Sequence, residues 1–191
     1  MKTGVTTPAD AGQFLVSASG ADGIVLALVD ADKTEIASGE TIDGASTGTI
    51  ILNGAKATLV AGSNEATARI AALLDTLHMS NAAELLGVME AAQDMTVEFL
   101  KTREQFDKPI GAFQALQHRM SNMLIHTELA RSLIYAACNA ADSGRDDAAR
   151  FARAAKVKAT TVGRKVSQEA IQLHGGIATT DEYIVGHFFK R

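Results

Sequence analysis

One cysteine in 191 residues rules out an internal disulfide. Cys138 shares a helical face with Ile134, Ala137 and Ala141, so the expectation is a buried thiol that fills space rather than a nucleophile. An unpaired cysteine also favours a reducing, cytoplasmic setting. No stretch approaches the roughly 18 uninterrupted apolar residues of a membrane span, and the start lacks the basic-then-apolar pattern of a signal peptide. Gly-x-Gly-x-x-Gly and Walker-type loops are missing, which excludes nucleotide sites of the Rossmann and P-loop kinds. None of the serines stands in a nucleophile-elbow motif. His78, His118, His126, His174 and His187 lack metal-ligand spacing with carboxylates or cysteine, so no metal site is expected.

The residues that are present fit a folded globular chain with a sizeable core: 47% hydrophobic and 21% charged. The net charge of −4 is unevenly placed. Residues 1–62 hold three Lys/Arg against seven Asp/Glu, while residues 63–191 hold fifteen of each. Within the second part, Arg150, Arg153, Lys156, Lys158, Arg164 and Lys165 form a basic stretch with no acid between them. A solvated helix face is the plain reading of that stretch, and a surface facing a nucleotide or a partner is the sharper one. Phe151 alone interleaves with these charges, fewer aromatics than base stacking along a strand requires, which argues against nucleic acid.

The texture of the chain changes near Gly62. Before it come short β-type runs at Phe14–Ser17, Ile24–Val29, Thr49–Leu52 and Ala57–Val60, separated by turn signals at Ser19–Gly23, Asp43-Gly44 and Asn53-Gly54. The run Ile24–Val29 does not alternate, which predicts a strand covered on both faces. After Gly62 the periodicity is helical. Ser63 or Asn64 can cap a long first helix, with a seam at Ile70, Leu74, Leu77, Leu85, Val88, Ala92, Met95 and Phe99. Pro109 and Gly111 break the chain. A second helix carries Phe113, Leu116, Met120, Met123, Leu124, Ala130, Ile134 and Ala137. A third runs from about Asp147 to His174, and its small seam residues allow close helix contact. A short fourth helix is expected after Thr179, with Glu182 completing a capping box. The pattern therefore predicts an α+β chain, with a partial antiparallel β-sheet domain over residues 1–62 and an up-down helical bundle over residues 63–191.

Two runs carry the chemistry. Thr102-Arg103-Glu104-Gln105-Phe106 sets an arginine at a helix end, where its planar fork can grip a phosphate or carboxylate with two parallel hydrogen bonds. Glu169-Ala170-Ile171-Gln172-Leu173-His174-Gly175-Gly176-Ile177 reads as a helix stopped by two glycines, which tolerate left-handed dihedrals and close backbone approach. In this order, with helices between them, the runs resemble the C-terminal half of the acyl-CoA dehydrogenase family. Arg103–Ile110 is similar to that family's loop entering its second bundle helix, and Phe113–Met120 to the stretch just beyond that loop. Ala154–Ala159 is similar to the third helix, and Gln172–Gly176 to the flavin-contacting turn. The first sixty or so residues match only in general pattern.

The resemblance implies a four-helix-type bundle of the acyl-CoA dehydrogenase C-terminal kind. It also implies the family's reaction, α,β-dehydrogenation of an acyl-CoA thioester with hydride transfer to FAD, in fatty acid or steroid side-chain degradation. Implied partners are identical or related subunits through the bundle, and electron-transfer flavoprotein. Arg103 and Gln105 would contact the FAD pyrophosphate across a subunit interface, with Phe106 and Gln114 near the adenosine half. Gln172, Gly175 and Gly176 would supply amide and backbone contacts to the same cofactor. Asp107 and Ala178 depart from the pattern, standing where the family commonly has glycine. The family's usual catalytic glutamate lies beyond Arg191, and its alternative place on the first helix falls near Leu77 and His78, where no carboxylate stands. No catalytic residue is therefore expected here, and the chain reads as a fragment or shortened subunit contributing FAD contacts. The alternative is a non-catalytic oligomerisation or assembly subunit of a heteromeric acyl-CoA dehydrogenase. The ending Val185–Arg191 is similar to family members that act as pairs of unlike subunits on dicarboxylic or steroid side-chain esters.

Overall fold

A computed structural model describes residues 1–6 and 8–191. The chain divides into two compact units, residues 1–73 and residues 74–191. The first holds two three-stranded antiparallel sheets. β2 (Gln13–Gly20) and β3 (Gly23–Asp30) form a tight hairpin, and β6 (Thr58–Ala61) pairs with the other edge of β3. In the other sheet, β5 (Ser46–Ile51) lies between β1 (Lys2–Thr6) and β4 (Glu35–Glu40). Successive strand residues face opposite sides of a sheet. Phe14, Val16 and Val29 accordingly turn to one side of the β2–β3 hairpin and meet Ile50 of β5 in a shared core. Leu26 turns to the other side and packs with Ala61, Ala66 and Ile70. The unalternating run in β3 is thus covered on both faces over Leu26–Val29, whereas Ile24 at its start is exposed.

Two strands, β1 and β4, carry no signal in the amino-acid pattern. Both lie at the edges of their sheet and are mostly exposed, so packing asks for no apolar run in either.

The long helices come next. α1 spans Ser63–Thr102, α2 Gln114–Asp142, α3 Ala148–His174, and a short α4 Val185–Lys190. The first helix begins one residue earlier than expected. The Gly62 carbonyl accepts from the Glu65 and Ala66 amides, so Gly62 rather than Ser63 or Asn64 stands at the cap. Within residues 74–191 the register of α1 and α3 is legible from three contacts. Asp75 meets Arg153, Leu85 lies beside Gly163, and Phe99 meets His174, so the two helices run parallel. α2 runs opposite to α1, because Gln93 reaches Thr127 while the earlier Glu90 reaches the later Arg131.

The seam of α3 is buried as its spacing predicts: Ala152, Ala155, Ala159, Val162, Val166, Ala170 and Leu173 all face the core. That of α1 is not. Leu74 and Leu77 are exposed, and the buried ridge is Ala82, Leu86, Met89, Gln93, Thr96 and Leu100. Leu85, Val88, Met95 and Phe99 sit half-buried on its flank. A helix that alternates Ala and Leu this densely has two apolar stripes, and the one carrying small and polar residues points inward. Cys138 is also corrected, since it is exposed. The inward stripe of α2 is Met123, Thr127, Ala130, Ile134, Ala137 and Ala140, and Cys138 lies a full step of about 100° past Ala137. The capping box at Thr179 does not form. The Thr179 hydroxyl donates to the Gly176 carbonyl within a 3-10 turn over Gly175–Thr179, which delays α4 to Val185.

The buried amide of Gln93 donates to the Thr127 hydroxyl at 2.7 Å, a polar tie between side chains inside this core. Thr127→Val should destabilise the chain by about 1–3 kcal/mol, because it strands a buried amide donor. Gln93→Leu combined with Thr127→Val should recover much of that loss. Urea denaturation of the two variants and the parent checks this, with non-additivity as the signature.

Candidate functional site

The arginine run and the double-glycine turn stand at the same end of the bundle. Phe99, in the last turn of α1, has its ring centroid 4.4 Å from that of His174, the last residue of α3. Four residues after Phe99 comes Arg103, whose amide closes the final helical bond to the Phe99 carbonyl at 2.8 Å. Directly after His174 comes Gly175, with φ +67°, a left-handed backbone that a side chain would strain. The folded chain thus brings together two motifs that are far apart in sequence.

Arg103 opens a two-stranded ribbon, β7 (Glu104–Gln105) against β8 (Lys108–Pro109), with Phe106 and Asp107 as its tip. The Ile110 amide donates to the Arg103 carbonyl at 2.8 Å and closes the base. Gly111 seats this base against α1, since a Cβ there would meet the Leu100 carbonyl oxygen at 2.9 Å. Both tip residues have positive φ, 57° and 61°, as a two-residue hairpin turn requires. Glycine or asparagine normally fills such places, so Phe106 and Asp107 hold backbone strain. Phe106 is 83% exposed, and its ring meets Phe113 edge-on at 6.0 Å. The Lys108 ammonium lies 4.3 Å over the Phe113 ring.

The side chains of Arg103, Gln105 and Gln114 are exposed, as are Gln172, Gly175 and Gly176 on the other run. Among the described residues, the Arg103 guanidinium has no ion pair or hydrogen bond within the chain, unlike Arg119, Arg131, Arg145, Arg153 and Arg191, which all meet carboxylates. A free planar fork on an ordered ribbon, beside amide side chains and a glycine turn, is a donor set suited to a diphosphate. Glu104 and Asp107 add negative charge on the same ribbon and oppose an anion there. No group of three or more His, Cys, Asp or Glu among the described residues could hold a metal.

The sequence marks His174 only as part of its motif. The structure buries it, and its Nδ1 donates to the Ala170 carbonyl at 2.8 Å, while Nε2 is enclosed without a partner. Its ring is flanked by Phe99 and by Tyr183, 5.2 Å away. Burial pushes the imidazole below its ordinary pKa, against a smaller pull upward from the Ala170 and Met95 carbonyls. Farther back along α1, Asp75 is held by Arg153 at 2.9 and 3.3 Å. His78 lies 3.8 Å from the same carboxylate.

These geometries have measurable consequences. Replacing Phe106-Asp107 by Asn-Gly should raise chain stability by about 1 kcal/mol, since it relieves left-handed strain at two residues; thermal melts measure this. His174 favours its neutral form when folded, so the unfolded chain takes up the proton first as pH falls. Stability present above about pH 6.5 is therefore lost below it. The parent's melting temperature should fall between about pH 7 and pH 5 more steeply than that of His174→Phe; parallel slopes would remove His174 from the effect.

Comparison with known proteins bears on this geometry. The acyl-CoA dehydrogenase C-terminal domain family matches residues 67–191. The acyl-CoA dehydrogenase IpdE2 of Mycobacterium tuberculosis is 40% identical over 119 residues, covering 62% of this chain and 36% of that protein. IpdE2 of Mycolicibacterium smegmatis is 31% identical over 164 residues, covering 86% of this chain and 51% of the relative. The crystal structure of the ChsE4-ChsE5 complex from Mycobacterium tuberculosis superposes with a TM-score of 0.87 at 31% identity, over 99% of this chain and 52% of that one. The chain thus spans between about a third and half the length of these curated relatives. Its strand-then-bundle architecture is theirs, and the chain belongs to the acyl-CoA dehydrogenase family, in the region of the C-terminal domain.

Proposed function

We propose that this chain supplies part of an FAD site to a neighbouring subunit of an acyl-CoA dehydrogenase. In this reading Arg103 and Gln105 hold the pyrophosphate, Phe106 and Gln114 flank the adenosine half, and Gln172, Gly175 and Gly176 offer amide and backbone donors. The observation that carries it is the unpaired, exposed Arg103 fork on a ribbon tied to the Gln172–Gly176 turn through Phe99 and His174. Bound there, FAD would accept the hydride in dehydrogenation of an acyl-CoA thioester, with electron-transfer flavoprotein as the onward acceptor. The role of this chain's residues is to grip, orient and shield the cofactor. Steroid side-chain or fatty acyl esters are the proposed substrates and a cytoplasmic setting the proposed location. The proposed division is a β-sheet domain over residues 1–62 and a bundle domain over residues 63–191. No described helix is long and apolar enough to cross a membrane.

One observation favours the assembly-subunit alternative. The carboxylate nearest the family's helical base position, Asp75, is engaged by two nitrogens of the Arg153 fork. The bundle also exposes Leu124, Ile125, Leu129, Tyr135 and Val157, each more than half accessible. Covering a leucine-sized side chain is worth roughly 1.5–3 kcal/mol, which favours self-association or pairing with a related subunit.

The 191-residue chain by itself should show no acyl-CoA-dependent reduction of an electron acceptor and should purify without stoichiometric flavin. A yellow, active preparation would overturn that. Sedimentation at micromolar concentration should give more than monomer mass. In the assembled flavoprotein, Arg103→Ala should weaken FAD binding about ten-fold to a hundred-fold, the worth of a charge-assisted bidentate contact. Arg103→Lys should restore only part, because lysine offers a point charge. Equal flavin affinity in all three proteins removes Arg103 from the site, and a matching collapse in melting temperature makes its role structural.

A further inference from the structure

The outer strands of the two three-stranded sheets differ in how they guard their open edges. An unpaired edge offers a row of N–H and C=O groups that another strand can bond, and folded chains blunt it with charge, irregularity or shortness. β1 carries Lys2 and a register shift between Lys2 and Val5. β4 carries exposed Glu35 and Glu40, and β6 is only four residues long. β2 has none of these devices. It holds eight residues with no charge and no proline, paired to β3 without a break from Gln13 to Gly20. The Ala31 amide donates to the Gly12 carbonyl at 3.0 Å, which fixes the alternation of bonds in the hairpin. Phe14, Val16 and Ala18 therefore bond inward to β3, while the backbone N–H and C=O of Gln13, Leu15, Ser17 and Ser19 point away from it. No described strand lies on that side. Leu15 is 50% exposed in this row, whereas Phe14 and Val16 are buried.

We propose that the β2 edge takes up a strand from a separate polypeptide, one carrying the half of the acyl-CoA dehydrogenase fold that has no counterpart in these residues. The edge itself selects the kind of occupant, because an extended backbone is what matches N–H and C=O groups at strand spacing. Side chains of the incoming strand that fall beside Phe14 and Val16 extend a buried apolar face, so those positions are apolar. One on the other face gives Leu15 a cross-strand neighbour. Length selects the source. The ChsE4-ChsE5 structure superposes over 99% of this chain but only 52% of its own, so nearly half of that fold lies outside these residues. A second copy of this chain is disfavoured by charge. Pairing β2 with β2 would bring together two copies of residues 1–62, each with seven Asp/Glu to three Lys/Arg. The proposal rests on family membership and not on Arg103 or flavin, so the cofactor reading stands or falls separately.

The test co-expresses the 191-residue chain with the part of Mycolicibacterium smegmatis IpdE2 outside its 164 matched residues, as separate polypeptides. Main-chain bonds give the affinity in strand addition, so sequence divergence between the two proteins is tolerated. Amide hydrogen exchange is then read along β2, with no flavin added. In the chain alone, Phe14, Val16 and Ala18 should exchange slowly, and Leu15, Ser17 and Ser19 fast. In the co-purified complex the second set should slow by about ten-fold or more. Ser17→Pro removes an N–H that β3 does not use, a change that edge strands tolerate. It should keep the inward amides slow and weaken the complex about ten-fold. If that variant loses the hairpin, Leu15→Lys decides in its place, since it keeps every backbone donor and sets a guarding charge on the edge. Failure to co-purify overturns the proposal, as do outward amides that stay fast in the complex. Protection that rises with concentration in the chain alone also overturns it, by making a second copy the occupant. A complex that the deciding variant leaves unweakened places the contact elsewhere and overturns it too.

Discussion

The small-residue seam of α3 governs how close the long helices lie. Ala152, Ala155, Ala159, Gly163, Ser167 and Ala170 are all buried, and none projects more than a hydroxymethyl group. Interaxial distance depends on the side chains at the contact, so this helix is packed near the short limit. Bulk comes from the opposite sides, with Met89 and Leu86 from α1 and Met123 and Ile134 from α2 filling the spaces it leaves. Widening that seam by even a few methylenes would move α1 and α3 apart along their length. The first casualty would be the Phe99–His174 contact, because it sits at the far end of both helices. The end of the bundle proposed to meet the cofactor thus depends on residues that have no chemistry of their own.

At that end the chain accepts local costs that its core avoids. The ribbon tip holds two non-glycine residues with positive φ, and an exposed phenylalanine is one of them. His174 keeps an enclosed nitrogen without a partner. Farther along the bundle Gln93 finds Thr127, Thr96 donates to the Ala92 carbonyl and Ser167 donates to the Gly163 carbonyl, while the buried His78 Nδ1 also lacks a hydrogen-bond partner. Strain and unmet hydrogen bonding persist where surrounding packing over-determines them, and such places concentrate at functional sites. The unpaired Arg103 lies on the same ribbon, which is why that end is the one proposed to hold a ligand.

Much of this is legible in the sequence, for reasons that differ by element. α3 is readable because its seam is nearly all small apolar residues at one period, and the flanking positions are charged. In α1 the alanines and leucines occupy two adjacent stripes, so periodicity alone cannot choose which faces inward, and polar Gln93 and Thr96 prove to be the buried ones. Cys138 misleads for a related reason, since apolar neighbours in sequence do not share a direction on a helix. The edge strands β1 and β4 leave no mark because packing demands little of them. The residues of the proposed site are legible as two motifs, but the partnerless imidazole nitrogen and the Arg119–Glu169 ion pair are not. Both depend on residues distant in sequence meeting in space, as Arg119 meets Glu169 and Phe99 meets His174.

The parallel register of α1 and α3 explains why the two motifs can be so far apart in sequence and still meet. Asp75 with Arg153, Leu85 with Gly163, and Phe99 with His174 advance together along the two helices. Each step along one helix is matched by a step along the other, so the meeting of the last pair is inherited from the first. The intervening α2 can change its loops without disturbing that relation, because loop closure costs grow slowly with length. An insertion within α1 or α3 cannot. One extra residue would rotate everything after it by about 100° and turn Phe99 or His174 away from its partner. The spacing within each helix, more than the identity of the residues at the turn, is what holds the arginine ribbon and the glycine turn in one place.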